Sequence, residues 1–96
     1  MKCKNIVYSG HAVRRMFERK INEGNIHEVI ECGELIGEYP DDYPYPSYLL
    51  LGFPGNIPLH VLIAKDNESD DCYVVTTYVP RRDIWKRDFK TRRIQS

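Results

Sequence analysis

An α+β fold is predicted: two N-terminal helices, a four-stranded antiparallel twisted sheet in meander order, and a C-terminal helix. Three features carry this expectation. Apolar residues recur at helical spacing up to Cys32, four short apolar runs divided by turn residues follow, and Trp85 and Phe89 stand one helical turn apart near the end. The 96 residues suffice for one core and not two, so a single domain over residues 1–96 is expected, with any site on one of its faces.

The first helix is expected from about His11 to Lys20, with Ser9 as N-cap. Its Ala12, Val13, Met16 and Phe17 form an apolar stripe, while His11, Arg15 and Arg19 recur every fourth residue on the opposite one. A second helix is signalled by Asn25 with Glu28 three residues later, by Ile26, Val29 and Ile30 on one face, and by Gly33 as a stop. Strands are then expected over Leu35 to Tyr39, Tyr48 to Phe53, Leu59 to Ala64 and Tyr73 to Val79. The stretch Pro40 to Pro46, with three prolines, is an ordered loop. Pro54-Gly55-Asn56 and the polar run Asp66 to Asp71 are short connections that favour antiparallel pairing. Pro80 ends the last strand, and Asp83 to Lys90 is expected to be helical, with Trp85 and Phe89 packed on the body.

Composition narrows the function classes. No apolar run approaches the ~18 residues of a membrane span, and no N-terminal signal core is evident, so a cytoplasmic protein away from membranes is expected. Cys3, Cys32 and Cys72 are odd in number and lack a Cys-x-x-Cys pairing, so they are read as reduced thiols; neither a metal nor a cofactor is expected. The net charge of zero hides segregation, because residues 1–32 carry a net +2, residues 33–72 a net −7 and residues 73–96 a net +5. If the two basic thirds meet in space, they offer one side to a polyanion; if not, they are simply solvated faces.

The stripe of His11, Arg15 and Arg19 suits a phosphodiester, since imidazole titrates near neutrality and guanidinium grips phosphate oxygens in a bidentate fork. His60 lies on the strand parity of Leu62 and Ala64, opposite Leu59, Val61 and Ile63. It is either a buried, hydrogen-bonded residue or the second member of a general acid–base pair with His11. Thr77 and Tyr78, at the end of the last strand, have hydroxyls that could orient a phosphate or a sugar, although Thr and Tyr also simply suit strands. Arg92 and Arg93 are either a frayed basic tail or further phosphate ligands.

The ordered set Ser9-x-His11-Ala12-x-x-Arg15-Met16-x-x-Arg19-x-Ile21, Leu59-His60-Val61, Thr77-x-Val79-Pro80 and Trp85-x-x-Asp88-Phe89-x-x-Arg92 resembles the domain of unknown function family 4258. That family is similar to the RelE-like toxins and the small ribonucleases of the barnase, EndoU and colicin group. The resemblance implies a RelE-like domain that acts as the toxin of a toxin–antitoxin pair. It would cleave RNA, free or on the ribosome, without a metal, and be covered by a cognate antitoxin. The family pattern falls on His11, Arg15, Arg19, His60, Tyr78 and Arg92.

The leading expectation is therefore a metal-independent endoribonuclease. His60 would take the proton of a ribose 2′-hydroxyl, His11 would protonate the leaving 5′-oxygen, and Arg15 and Tyr78 would complete the catalytic set. Arg15, Arg19, Arg92, Arg93 and Thr77 would hold the phosphate, and products would end in 2′,3′-cyclic phosphate. The alternative is a non-catalytic module of the same fold that binds nucleic acid or protein, with His60 in the core; a third is a domain whose acidic middle or tyrosine-rich loop binds a partner.

Overall fold

The computed structural model describes residues 1–94. It comprises β1 (Asn5–Tyr8), α1 (Gly10–Arg19), α2 (Glu23–Cys32), β2 (Glu34–Tyr39), β3 (Ser47–Gly52), β4 (Leu59–Asp66) and β5 (Asp71–Tyr78). The four expected strands are present, but among the described residues the sheet has five, in the order β1-β5-β4-β3-β2. The extra strand corrects the expected antiparallel meander: β1 pairs parallel to β5, from Asn5 opposite Asp71 to Tyr8 opposite Val74. Asn-Ile-Val-Tyr is too short and too polar in its surroundings to show a period of its own, and only the partner β5, far along the chain, makes it a strand.

The C-terminal helix is also corrected. Residues 83–90 form turns, closed by an isolated bridge between Trp85 and Arg92. Asp88 is the cause: its carboxylate accepts from the amides of Lys90 (2.9 Å) and Thr91 (3.0 Å) and from the Thr91 hydroxyl (2.9 Å). Such local bonds compete with the helical ladder. Phe89 sits at φ 58°, outside any right-handed helix. Trp85 and Phe89 still turn onto the body, in keeping with their spacing, but from a looped backbone.

Ser9 caps α1, accepting from the amide of Ala12 (3.0 Å) while its hydroxyl donates to the Val75 carbonyl (3.1 Å). One side chain thus ends β1, starts α1 and fixes the helix against β5. The cap of α2 is Asn22, in a reciprocal box with Asn25, three residues before the expected start; Gly33 ends the helix as expected. Of the apolar stripe on α1, Ala12 is buried and Met16 partly so, whereas Val13 and Phe17 are exposed.

The core lies between the helices and one face of the sheet. Ala12, Ile21, Ile26, Val29 and Ile30 meet Leu50, Leu59, Val61, Ile63, Cys72 and Val74. Full burial of each of the larger aliphatic side chains stabilises the fold by about 2 kcal/mol. Gly52 permits the close approach of α2, since a Cβ there would stand 2.7 Å from Val29 Cγ2.

The cysteines depart from the reduced state expected. Cys3 and Cys72 form a disulfide that ties the entry of β1 to β5, and Cys32 alone is free and exposed. Their separation of 69 residues gave no local pattern, and they meet only because β1 lies beside β5. No helix among the described residues is long and apolar enough to cross a membrane.

Candidate phosphate-binding cleft

A register shift in β5 creates the site. Ile63 pairs with Val74 and Leu62 with Thr76, leaving Val75 as the extra residue of a bulge. Before the bulge, Cys72 and Val74 face the helices; after it, Thr77 pairs with core-facing Val61 and Tyr78 with His60. Without the bulge Tyr78 would share the parity of Val74. With it, Tyr78 joins His60 on the sheet face away from the helices.

Beyond Tyr8 the chain leaves β5 and enters α1, so among the described residues no strand covers the β5 edge past Val74. A cleft of about 410 Å³ occupies that place. One wall is α1, with His11, Arg15 and Arg19; the floor is Thr76, Thr77 and Tyr78; the C-terminal turns supply Arg81, Trp85 and Arg92. The two basic thirds of the sequence therefore meet here, and among the described residues no carboxylate lines the cleft. Arg15 is paired with Glu18 (3.0 Å) and Arg81 with Asp83 (2.6 Å), both at exposed positions. Pairs of this kind contribute ~0 to 1 kcal/mol and yield readily to a phosphate. Arg92 lies over the Trp85 ring at 5.8 Å, held there by cation–π attraction.

Six of the eight residues that the sequence singles out line the cleft: His11, Arg15, Arg19, Thr77, Tyr78 and Arg92. His60 does not. It is 0 % exposed, with Nε2 at 2.7 Å from the Phe89 carbonyl, Nδ1 at 3.2 Å from the Tyr78 hydroxyl, and the Trp85 ring edge-on at 4.5 Å. Arg93 also lies apart, donating through Nε to the Arg82 carbonyl (2.7 Å). Thr77 is fully buried, its hydroxyl given to the His60 carbonyl (2.8 Å). Sequence reasoning misses Arg81 and Trp85 as members of the site; Arg81 follows directly on Pro80, and its place depends on how the chain turns there.

Burial lowers the pKa of His60 from its usual 6.5, opposed by the bond to Phe89. Burial likewise raises that of the Tyr78 phenol, with Tyr39 adding to the rise and Arg92 opposing it. Neutral imidazole therefore sits against protonated phenol. A cleft with several guanidiniums, one accessible imidazole and no facing carboxylate can hold an anion of one or two phosphates and orient it against Tyr78. Among the described residues, no group of three or more His, Cys, Asp or Glu could hold a metal ion.

No curated protein and no solved structure matches the chain. The Trp85-to-Arg92 segment lies outside the family match, which spans residues 8–79 and takes in α1, His60 and Tyr78, so that by sequence the chain belongs to the family described as Domain of unknown function (DUF4258).

Proposed function

We propose that this protein is a nucleic-acid-binding module whose cleft takes the phosphodiester backbone of a single strand. The observation that carries the reading is the convergence of Arg15, Arg19, Arg81 and Arg92 from both ends of the chain on one cleft without carboxylates among the described residues. Walls on both sides favour a single strand over a duplex, and Trp85 and Tyr78 give the cleft an aromatic component suited to sugar and base. Anisotropy titration of a labelled single-stranded oligonucleotide tests this. Arg15→Ala combined with Arg19→Ala should weaken binding at least tenfold and reduce the salt slope by about 1.4, roughly 0.7 for each phosphate no longer neutralised. Undiminished binding by the double variant would refute the assignment.

A second reading, metal-independent RNA cleavage by a toxin, is favoured by one observation: His11 shares the cleft with the arginines and Tyr78. His60, the other histidine expected from the sequence, is enclosed, with its Nε2 2.7 Å from the Phe89 carbonyl, which favours assigning proton transfer to His11. Cleavage would then rest on His11 as the proton-transfer group, with the arginines stabilising charge on the phosphate. An acidic protein covering the cleft would be its natural inhibitor. New 2′,3′-cyclic phosphate ends after induction in cells, abolished by His11→Ala, are the expected signature; their absence with normal growth leaves the binding module.

A further inference from the structure

We propose that Tyr78, held as a hydrogen-bond acceptor by His60, reads the ribose 2′-hydroxyl and makes the cleft selective for RNA over DNA. The inference rests on the nucleic-acid reading above and assigns its substrate class.

The Phe89 carbonyl, 2.7 Å from His60 Nε2, can only accept, so the proton of the neutral imidazole is on Nε2. Nδ1 then carries a lone pair, and the Tyr78 hydroxyl 3.2 Å away must donate to it. The phenol proton is thereby spent inside the protein, and what Tyr78 offers the cleft is the remaining lone-pair capacity of its oxygen. Thr77 cannot substitute, because its hydroxyl is bonded to the His60 carbonyl (2.8 Å). The rest of the polar lining is dominated by guanidinium donors. An anion with no hydroxyl occupies the arginines and brings no O–H to Tyr78. A ribose phosphate supplies both the anion and an O–H to give, and the 2′-hydroxyl is the group by which RNA differs from DNA along its backbone.

The arrangement also explains why a histidine is enclosed here at all. A buried polar group needs partners, and the imidazole has one on each nitrogen. His60 touches no ligand; it is a positioning residue acting through Tyr78.

The test uses three labelled oligomers of equal length, uridine, 2′-deoxyuridine and 2′-O-methyluridine, titrated into the full chain by anisotropy. Uridine should bind about tenfold more tightly than either of the others, because 2′-O-methylation keeps the oxygen but removes the donor. In Tyr78→Phe, which keeps the ring, the ratio of uridine to deoxyuridine affinity should fall to about one. Equal binding of all three by the unaltered protein would overturn the proposal while leaving the nucleic-acid reading intact. Retention of affinity by the 2′-O-methyl oligomer would overturn it by showing that the 2′-oxygen accepts. Binding of none would overturn both.

Discussion

Tyr78 and His60 show how a residue's role depends on what covers it. The strand alternation around His60 was legible: Leu59, Val61 and Ile63 face the core and His60 faces the other way. What covers that other face was not, since Trp85 and Phe89 reach it from a loop held by Asp88. Deleting the ring by His60→Ala should cost about 3 kcal/mol, because it opens a cavity and leaves the Tyr78 hydroxyl and the Phe89 carbonyl without partners. Chemical denaturation of the variant checks this, and a loss within error of zero would mean that the ring is not enclosed.

The same burial makes a pH prediction. The folded pKa of His60 lies below its ordinary 6.5, so on acidification the unfolded chain takes up a proton before the folded chain does. Stability from this group is full above about pH 6.5 and is lost as pH falls through that value toward the folded pKa. Thermal melts at about pH 7.5 and about pH 5.5 should show a steeper fall for the unaltered protein than for His60→Gln.

At the scale of elements, the helix signals were local and largely legible. Ser9 and Gly33 stand where caps were expected, while Asn22 displaced Asn25 as the second cap because a box closed by two asparagines lacks the acidic third residue that usually marks it. The parallel strand and the C-terminal loop were not legible, for β1 depends on a partner more than 60 residues away and the loop on a single carboxylate. The bulge at Val75 is of the same kind, for it appears only in the register against β4.

The disulfide belongs to this scale. Thiol titration of the denatured, unreduced protein should find one reactive group, Cys32, and reduction should expose two more. Opening a loop of this length in the unfolded chain is worth about 4 kcal/mol by chain entropy, so Cys3→Ala should be markedly less stable. Three reactive thiols before reduction would remove the bond from the account.

For the molecule as a whole, charge is arranged along the sheet. The acidic β4–β5 connection, with Asp66, Glu68, Asp70 and Asp71, lies at one end of β5, and the cationic cleft lies beside the other. A net charge of zero therefore conceals a concentration of guanidiniums at the cleft, whereas Lys65 pairs with Asp70 at the other end. The charge segregation was visible in the sequence; that both basic thirds share a cleft depended on α1 crossing to β5 and on the turns after Pro80.

Amide and side-chain NMR shifts of the labelled protein, followed as a single-stranded uridine oligomer is added, locate the bound strand on the surface. The largest changes should fall on His11, Arg15, Arg19, Thr76, Tyr78, Arg81, Trp85 and Arg92, and should fade as salt is raised. Changes centred instead on the exposed Val13 and Phe17 or on the tyrosines beside Asp42, or none at saturating oligomer, would contradict this placement.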